Sequence, residues 1–490
     1  MSHRLPPASR PDVEAYRLMR AGRFADALPF AEQAVAGSPV CLPAHGMLAA
    51  ILLQLGRAAD ADAVICRALQ CAPGVADAYD ALAHTSMLLG QHERSNALYR
   101  RVVEMAPRDP RFWYNLASSE RSFGRLVEAE AACSRAIALD GGDYASYLLR
   151  SELRVQSPDA NHVEELRSKL TSPHLSARAR VALGYALGKE LDDLQRFDEA
   201  FHWFSSAART RRRQLAYDVA TDERKIERLK EVFPTARLRA AVHGQDSSRY
   251  IFIVGLPRSG TTLIEHILTG LAGVRSNGET DNFARALMVA APRGPGDLFA
   301  RAAAADPVAV AAGYAQLADR SSAGDRVIEK LPMNYLYLGA IRRALPSAKI
   351  VLARREPIDS CFAMYRTLFA AAYPFSYDFE DLARYFAAYD GLLRHWRESF
   401  TDTLCEVEYE ALVGRPREVG ASVAQYCGLA WRPEAVEVQK SGSVSFTASA
   451  AQIRRPIYGS SSGRWRHYRA HLGPLIDALR RRAIPLPDDT

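Results

Sequence analysis

The stretch GLPRSGTT, residues 255–262, has the residue types and the spacing of a turn that binds an anion. It follows the apolar run 250–254 and precedes a segment with helical periodicity, which places the turn between a strand and a helix. Gly255 and Gly260 are spaced as in a phosphate-binding loop, whose backbone N–H groups point at an anion on the helix N-terminus. Thr261 stands where a nucleotide-triphosphate loop has its lysine, so the pattern disfavours an ATPase or a kinase.

A second basic segment, Arg354-Arg355, follows another apolar run at 349–353. Further runs of β-forming residues occur at 251–254 and, more weakly, at 404–408, and long helical patterns separate them. This alternation predicts an α/β domain with a mostly parallel sheet and crossover helices. Because ligands bind at the carboxyl ends of such strands, we expect the turn and the two arginines to converge on one anion.

The first third of the chain repeats itself with a period of 34 residues. Glycines, small residues and prolines keep this step: Gly22, Gly56, Gly90 and Gly124; Ala27, Ala61, Ser95 and Ala129; Pro39, Pro73 and Pro107. Each unit predicts a helix, a glycine turn, a second helix that packs closely at the small residue, and a proline stop. The period and these positions resemble the tetratricopeptide repeat.

This resemblance implies an α-helical solenoid in front of the α/β domain. We assign residues 11–215 to the repeat array, with four clear repeats to about residue 150 and degenerate helices beyond, including a fifth unit at 194–204. Residues 216–248 are assigned to a helical linker and 249–490 to the α/β domain. The concave face of such an array usually binds peptides or partner proteins, and an array can also support or dimerise its neighbour. The sequence leaves both roles open.

The bulk composition limits the class of protein and of ligand. The chain of 490 residues carries a formal net charge of +7, mainly through arginine, which favours anionic ligands. No zinc-finger or other nucleic-acid-binding signature accompanies that charge, so nucleic acid is not expected as a partner. The seven cysteines form no C-x-x-C pair, which favours reduced thiols. Neither a signal peptide nor a run of about eighteen apolar residues occurs, so we expect a cytoplasmic protein without a membrane span.

Three motifs together resemble those of the sulfotransferases: PRSGTT after a first strand, RREPIDS after a later strand, and GRW near the end of the printed sequence. The resemblance covers residues 250–475, and it is closest to tyrosylprotein sulfotransferases and to bacterial sulfotransferases with N-terminal tetratricopeptide repeats. It implies a P-loop-like fold, the donor 3′-phosphoadenosine 5′-phosphosulfate, and no required metal. The turn would hold the 5′-phosphosulfate through Pro257, Arg258, Ser259, Gly260, Thr261 and Thr262.

The resemblance also implies which residues do the chemistry. Glu279, in a Gly-Glu-Thr context, matches the general base that removes the proton of the acceptor hydroxyl. Arg258 matches a residue that contacts the sulfonate, and Lys330 matches one that stabilises the bridging oxygen of the leaving nucleotide. Ser449 lies six residues before Arg455 and matches a catalytic serine, with a turn role left open.

The 3′-phosphate of the donor needs a separate basic site. Arg355 is the matching residue, since a guanidinium binds phosphate through two parallel hydrogen bonds. Arg354 lies beside it, and Arg464 arrives with the GRW motif. Tyr409 matches a tyrosine near the nucleotide, with simple packing of its ring left open.

The sequence departs from the family at two places. Ala363 stands where a serine is usual, so either Ser360 substitutes as a hydrogen-bond donor or nucleotide binding is weakened. In the tyrosylprotein enzymes, two arginines that follow the base grip acidic peptides. Here Arg285 fits one place and is the predicted acceptor-binding residue, whereas Asp281 occupies the other place and does not favour an acidic peptide. Protein tyrosine is the leading acceptor, and glycans, lipids and small alcohols stay open.

Two other functions are compatible with the sequence. The chain could be a repeat-based protein-binding scaffold whose nucleotide-binding domain is not catalytic, an interpretation that Ala363 favours. A degenerate phosphate-loop kinase is the third interpretation, and Thr261 argues against it. The sequence leaves homodimerisation open.

Overall fold

The computed structural model describes residues 10–70, 75–239, 246–319, 326–369, 371–400, 404–440, 456–457, 459 and 461–487. The predicted catalytic Ser449 lies outside these residues. The chain divides into two compact units, Met1–Ser146 and Tyr147–Thr490.

The described part of the first unit consists of four helix pairs. Its helices are α1 (Pro11–Arg20), α2 (Phe24–Gly37), α3 (Leu42–Gln54), α4 (Ala58–Leu69), α5 (Ala76–Leu88), α6 (His92–Met105), α7 (Pro110–Ser122) and α8 (Leu126–Leu139). Within each pair the two helices pack against each other, and successive pairs also meet, α2 with α3 and α6 with α7.

The 34-residue repeat explains this packing. The turn glycines Gly22, Gly56, Gly90 and Gly124 all have a left-handed backbone, with φ between 71° and 78°. Glycine adopts this conformation without steric cost, so the chain can reverse between two helices. The small residues Ala27, Ala61, Ser95 and Ala129 are at most 2% exposed. The predicted pairs of helices are therefore present, with their turns at the predicted glycines.

The second unit begins with six helices. They are α9 (Tyr144–Glu152), α10 (Val163–Leu170), α11 (Ala177–Asp193), α12 (Phe197–Arg213), α13 (Val219–Val232) and α14 (Thr235–Arg239). Helices α11 and α12 pack against each other. Gln195, in the turn between them, has a left-handed backbone (φ 60°), and Ala200 on α12 is fully buried. This pair occupies the position of the predicted fifth, degenerate repeat.

These helices pack onto the later part of the same unit. The Tyr185 hydroxyl donates to the backbone oxygen of Tyr365 at 3.1 Å, and Arg212 Nε donates to Asp381 at 2.7 Å. The division between the compact units, after Ser146, therefore lies earlier in the chain than the sequence-based boundary at 215. Buried polar contacts over long sequence separations, which have no local signature, place the helices of 147–239 in the second unit.

The second unit contains a parallel sheet of five strands in the order β2-β3-β1-β4-β5. The strands are β1 (Tyr250–Gly255), β2 (Val274–Ser276), β3 (Arg326–Lys330), β4 (Lys349–Arg354) and β5 (Leu404–Glu408). In the registers, Phe252 lies opposite Glu329 on one side and Ile350 on the other. All neighbouring strands are parallel, which confirms the predicted sheet.

Helices surround this sheet. They are α15 (Thr261–Thr269), α16 (Asn282–Ala290), α17 (Leu298–Ala304), α18 (Pro307–Ala318), α19 (Leu338–Ala344), α20 (Pro357–Tyr365), α21 (Phe379–Ser399), α22 (Tyr409–Gly414), α23 (Pro416–Tyr426) and α24 (Gly473–Arg480). Short 3₁₀ helices occur at Pro332–Tyr337, Pro374–Tyr377, Pro433–Val436, Val438–Lys440 and Arg464–His471. Within the described ranges, no helix combines the length and the apolar character needed to cross a membrane.

The central strand β1 is buried at all six positions. One face of the sheet packs against α15 and α23, and its core includes Ile251, Ile253, Ile267, Val351 and Val423. Parallel strands end at the same edge of a sheet, so the residues that end or follow β1 to β5 gather there. All the strand-end motifs singled out in the sequence lie at this edge.

Candidate active site

The turn after β1 is packed tightly against its neighbours. A Cβ atom on Gly255 (φ 150°) would lie 2.4 Å from the backbone oxygen of Ala353. A Cβ atom on Gly260 (φ 98°) would lie 2.6 Å from Cδ2 of Tyr409. Glycine at both positions therefore lets the turn rest directly on the end of β4 and on the Tyr409 ring.

The side chains of the turn are largely buried and lie where α15 begins. Ser259, Thr261 and Thr262 are 2%, 4% and 6% exposed, and Pro257 is buried as well. The Ser259 hydroxyl donates to the backbone oxygen of Leu256 at 2.7 Å. The first backbone N–H groups of a helix have no partner within the helix, so the start of α15 offers them to a ligand.

Arg258 is the one residue of the turn other than glycine with a left-handed backbone, at φ 67°. Such a conformation is strained by about 1–3 kcal/mol for a residue with a Cβ atom. Its side chain is half-buried. Strain of this kind is common at sites that hold a ligand.

Arg355, directly after β4, connects to the turn. Its Nη1 donates to the backbone oxygen of Arg258 at 3.1 Å, and its Nη2 donates to the backbone oxygen of Ser461. Its guanidinium also lies 3.7 Å from the Asp359 carboxylate and 4.7 Å from the centre of the Tyr409 ring. The side chain is 5% exposed. The structure therefore brings Arg355 and the turn together, as the strand-end argument predicts.

The segment at 461–465 approaches Arg355 through its backbone. The Gly463 and Trp465 N–H groups both donate to the Asp359 carboxylate. The Tyr409 hydroxyl and the Ser461 hydroxyl share a hydrogen bond. Four segments thus contact the Arg355 guanidinium: the turn after β1, the start of the helix after β4, Tyr409 after β5, and the segment at 461–465.

A cavity of about 320 Å³ opens beside this cluster. Its lining includes four predicted donor-binding residues, namely Ser259, Arg354, Arg355 and Ser360. Arg394 and Arg397 of α21 also line it, together with Leu256, Phe386 and Tyr389. Arg354 pairs with Glu406 at 3.2 Å. Arg397 pairs with Glu406 as well, and Arg394 pairs at 3.4 Å with Asp390, which also lines the cavity. The four arginines still outnumber the two carboxylates, and this excess of positive charge suits an anionic ligand.

Arg464 is placed differently from the sequence-based expectation. Its Nη2 lies 2.7 Å from the carboxylate of Asp192, on α11, and its Nε lies 3.2 Å from the same carboxylate. The guanidinium is thus paired with Asp192 and not with groups of the turn. The physical reason is that the backbone of 463–465 faces Asp359, so the Arg464 side chain leaves the segment on the other side.

A second charged group lies at the end of β3. Lys330 is fully buried, and its Nζ donates to Glu279 Oε1 at 2.6 Å. The same Nζ lies 3.5 Å from Glu265 Oε2 on α15. The Glu279 side chain is 40% exposed, so a ligand can reach it. Two predicted catalytic residues are therefore in direct contact.

The loop that carries Glu279 is held by a second buried carboxylate. Glu329 is fully buried and accepts hydrogen bonds from the side chains of Thr280, Asn277 and Asn282. From the other side, Ser276 donates to Glu265 at 2.5 Å. These contacts fix the loop on both sides of the predicted base.

Aromatic residues cluster around Tyr373. Burial raises the pKa of the Tyr373 phenol, and the negative charge of Glu279 raises it further. Tyr373 has a left-handed backbone (φ 54°). Its ring contacts Phe369 with centroids 4.7 Å apart, and Phe375 stacks on Tyr385 at 3.6 Å.

The remaining predicted residues have these positions. Arg285 lies half-buried on α16, six residues after Glu279 in the sequence. Ala363 is 4% exposed on α20, and Ser360 on the same helix is 1% exposed and lines the cavity.

Sequence reasoning missed several residues that build the site. Glu265, Glu329 and Asp359 each hold a predicted residue or its loop in place. Each could have been noticed as a carboxylate close in sequence to a predicted site residue: Glu265 follows the turn, Glu329 precedes Lys330, and Asp359 follows Arg355. Asp192 has no such signal, because it lies far in sequence from the strand-end motifs and from the GRW segment.

Comparison with known proteins finds matches for two regions of the chain. Residues 250–433 match the model of the sulfotransferase family, and residues 18–84 and 81–144 match two models of the tetratricopeptide repeat. An uncharacterized protein of Aquifex aeolicus (strain VF5) is 29% identical over 374 residues. That alignment covers 73% of this chain and 48% of the relative, so the chain spans about half the length of the curated relative it matches.

Two solved structures are similar to separate parts of the chain. The sulfotransferase domain from the Synechococcus PCC 7002 olefin synthase is 20% identical, with a TM-score of 0.35, and the match covers 50% of this chain and 99% of that domain. YrrB, a tetratricopeptide-repeat protein with an unusual peptide-binding site, is 16% identical with a TM-score of 0.27, over 39% of this chain and 89% of its own. The family-model matches identify the two parts: the chain contains tetratricopeptide repeats followed by a sulfotransferase-family domain with a five-stranded parallel sheet.

Proposed function

We propose that the sulfotransferase-family domain transfers a sulfuryl group from 3′-phosphoadenosine 5′-phosphosulfate to an acceptor hydroxyl. The observation that carries this proposal is the contact between the anion-binding turn and Arg355. A donor with a phosphosulfate at one end and a phosphate on the ribose needs two anion sites a few ångströms apart. The turn and Arg355 are two such sites.

The residues fit this donor. Arg355 Nε is buried and has no hydrogen-bond partner among the described residues, although an unsatisfied buried N–H group is unfavourable by about 1–3 kcal/mol. A phosphate oxygen in the adjoining cavity would accept that hydrogen bond. The turn fits as well, because its glycines leave room for an anion to approach the backbone.

We assign the donor-binding roles accordingly. The turn, Pro257 to Thr262, holds the 5′-phosphosulfate through its backbone N–H groups and hydroxyls. Arg355 binds the 3′-phosphate, with Arg354 beside it and Ser360 as the hydroxyl donor that replaces the serine missing at Ala363. The Tyr409 ring packs against Gly260 and against the Arg355 guanidinium, and so helps to hold the nucleotide-binding residues in position.

The chemistry needs a base, and Glu279 is placed to serve as one. Glu279 takes the proton of the acceptor hydroxyl while that oxygen forms a bond to sulfur. The bond between sulfur and the 5′-phosphate oxygen breaks, and adenosine 3′,5′-bisphosphate leaves. Lys330 neutralises the negative charge on the bridging oxygen, and Arg258 neutralises charge on the sulfonate. Ser449 keeps its proposed catalytic role from the family resemblance.

Protein tyrosine is the acceptor that we propose. The half-buried Tyr373, whose phenol interacts electrostatically with Glu279, would pack against a phenol ring, and Phe375 lies behind it with centroids 6.2 Å apart. Arg285 would contact the chain that bears the tyrosine. Arrays of tetratricopeptide repeats commonly bind polypeptides, so the first unit would recruit the same protein partner.

Transfer of labelled sulfate tests the proposal. The full chain is incubated with labelled donor and a library of tyrosine peptides, glycans and small alcohols, and the products are separated. Label on tyrosine peptides is the expected result, and Glu279→Gln abolishes it. Glu418→Gln is the matched control, because this carboxylate on α23 is 66% exposed and pairs with the exposed Arg415. Label on none of the acceptors contradicts the proposed activity.

The alternative is a protein-binding scaffold whose nucleotide domain is not catalytic. Two observations favour it: Ala363 offers no hydroxyl, and the Arg355 Nη groups already donate to protein oxygens. Calorimetry with adenosine 3′,5′-bisphosphate and the sulfate-transfer assay together separate the two functions. Binding together with sulfate transfer supports the enzyme, whereas binding without transfer to any acceptor supports the scaffold.

A further inference from the structure

Asp192 is a buried carboxylate far from the sheet edge in sequence. It lies near the C-terminal end of α11, and its side chain is 4% exposed. Three side chains donate to it: Arg366 at 2.7 Å, Arg464 at 2.7 Å, and the hydroxyl of Tyr468. A carboxylate with three such donors is held in one orientation.

These three donors come from the two segments that flank Arg355. Arg366 directly follows α20, the helix that begins two residues after Arg355 and carries Asp359. Arg464 and Tyr468 belong to the 3₁₀ helix Arg464–His471. The Asp192 carboxylate therefore ties the end of α20 to the start of that 3₁₀ helix.

The backbone of the second segment contacts the donor-binding cluster from the opposite side. The Ser461 carbonyl accepts from Arg355, and the Gly463 and Trp465 N–H groups donate to Asp359. The Arg464 side chain leaves the segment between these two N–H groups and reaches Asp192. The position of the segment against Arg355 is thus fixed by Asp192 on one side and by Asp359 on the other.

Removing the Asp192 charge would change this arrangement. The Arg366 and Arg464 guanidinium groups are 18% and 22% exposed, and each has a nitrogen 2.7 Å from the same carboxylate oxygen, Asp192 Oδ2. Without that negative charge the two cations would repel each other at close range in a poorly solvated place. The segments that carry them would separate, and Ser461 and Gly463 would move relative to Arg355.

We infer that Asp192 is a positioning residue for the donor nucleotide: it holds Arg464 and Arg366 so that segment 461–465 keeps Arg355 in place. The inference rests on the proposed function, because it concerns the site assigned to the 3′-phosphate. Arg464 then acts on the nucleotide through Asp192 and the backbone, and not by direct contact with the phosphate.

A double-mutant cycle measured by calorimetry tests this inference. The dissociation constant of adenosine 3′,5′-bisphosphate is measured for the full chain, for Asp192→Asn, for Arg464→Gln and for the double variant. Each single variant weakens binding by about tenfold or more, as expected when a charged hydrogen bond that orders the site is lost. The double variant weakens it no further than the stronger single variant, since both changes break the same link.

A direct contact between Arg464 and the phosphate gives a different pattern. Asp192→Asn would then release Arg464 toward the ligand, and affinity would stay the same or increase, while Arg464→Gln alone would weaken it. That pattern, or unchanged affinity in all three variants, overturns the inference. If the full chain itself does not bind the nucleotide, the proposed function fails, and this outcome is distinct because it needs no variant.

Two further measurements separate positioning from simple loss of stability. The ratio of the dissociation constants for adenosine 5′-monophosphate and adenosine 3′,5′-bisphosphate falls in Asp192→Asn, because only the 3′-phosphate site is disturbed. In turnover, the KM for the donor rises while kcat stays within about threefold, since Glu279 and Lys330 do not touch this cluster. A variant that loses kcat at constant KM contradicts the inference.

The matched control is Glu190→Gln. Glu190 lies two residues earlier on α11, is 1% exposed, and holds His162 through its backbone N–H and its ring. We expect this variant to lower the thermal midpoint and to leave the nucleotide affinity unchanged. If Asp192→Asn does not fold, Tyr468→Phe replaces it, because it removes one hydrogen bond and keeps both charges and the ring. A loss of affinity in Tyr468→Phe supports the inference, and an unchanged affinity contradicts it.

Discussion

Two buried cations lie at the carboxyl edge of the same sheet, and their surroundings differ. Lys330, the last residue of β3, is fully buried and contacts two carboxylates, Glu279 at 2.6 Å and Glu265 at 3.5 Å. Arg355, after β4, is 5% exposed, and its contacts are two backbone carbonyls, one aromatic ring and a single carboxylate at 3.7 Å. The first cation is surrounded by negative charge, whereas the second is held mainly by dipoles.

This difference matches the two tasks that we propose. At Lys330 the carboxylates outnumber the cation, and one of them, Glu279, is accessible and can act as a base. At Arg355 the positive charge is only partly compensated, so an anion can be bound there with a net gain. The Lys330 end is thus suited to proton transfer, and the Arg355 end to holding the nucleotide.

The largest expected effect lies at the Lys330 end. Glu279→Gln removes the base and keeps the size of the side chain, so kcat falls by roughly 10²- to 10⁴-fold, the usual contribution of general base catalysis. The dissociation constant for adenosine 3′,5′-bisphosphate changes less than twofold. Sulfate transfer and calorimetry measure the two quantities. A kcat within tenfold of that of the unaltered chain would remove Glu279 from the mechanism.

The second effect lies at the Arg355 end, where a substitution is expected to change nucleotide affinity more than kcat. Arg355→Lys keeps the charge but loses the planar pair of donors, so nucleotide affinity falls by about 10- to 100-fold. The kcat at saturating donor falls much less. Arg415→Lys is the matched control, since Arg415 is 63% exposed and pairs with Glu418. Equal losses of affinity in both variants would contradict a specific role for Arg355.

A third comparison uses two glycines with left-handed backbones. Gly260→Ala adds a Cβ atom 2.6 Å from Tyr409 Cδ2, so it combines strain with a clash and moves the turn away from the ring. Gly90→Ala adds a Cβ atom that meets nothing within 4 Å, so it tests backbone strain alone. We expect the free energy of unfolding to fall by about 2–4 kcal/mol in Gly260→Ala and by about 1 kcal/mol in Gly90→Ala.

Denaturant unfolding measures these changes, and calorimetry shows that only Gly260→Ala loses nucleotide binding. If Gly90→Ala proves the more destabilising of the two, the packing of the turn on Tyr409 is not as described.

The smallest effect concerns acid stability. Burial would raise the pKa of Asp192, but Arg366, Arg464 and Tyr468 outweigh it and hold the pKa below the ordinary value of 3.8. The folded pKa is therefore the lower one, so the ionised carboxylate stabilises the fold above about pH 3.8, and this contribution is lost as the pH falls through the folded pKa. The thermal midpoints of the unaltered chain and of Asp192→Asn should therefore converge as the pH falls below the folded pKa of Asp192. A constant gap from about pH 7 to about pH 2 contradicts this account.

The sequence predicts most of the features that depend on short stretches of chain. The turn glycines of the first unit follow from a strict 34-residue period. The apolar runs at 349–353 and 404–408 correspond to the strands Lys349–Arg354 and Leu404–Glu408. Such patterns are local, because a helix or a strand buries one face over a few residues.

Two strands were not predicted, for identifiable reasons. Val274–Ser276 has three residues, too few for a pattern. Arg326–Lys330 contains Glu329 and Lys330, two buried charges that interrupt the apolar run. These charges can be buried because each is paired within the site. The site residues therefore interrupt the apolar pattern by which the strand would be recognised in the sequence.

The orientation of Arg464 also could not be predicted from the sequence. Its partner Asp192 is on a helix of the degenerate fifth repeat, and no motif links the two residues. The family pattern indicates where the GRW segment lies, and the backbone contacts of Gly463 and Trp465 with Asp359 agree with that position. The direction of the side chain depends on long-range packing, which local sequence does not encode.

The crystal structure of the complex with adenosine 3′,5′-bisphosphate tests the central claim most directly. The account predicts the 5′-phosphate on the backbone N–H groups of residues 257–262 and the 3′-phosphate within hydrogen-bond distance of the Arg355 guanidinium. A nucleotide with its two phosphates bound elsewhere, or with only one of them at this edge of the sheet and the other away from Arg355, would contradict it.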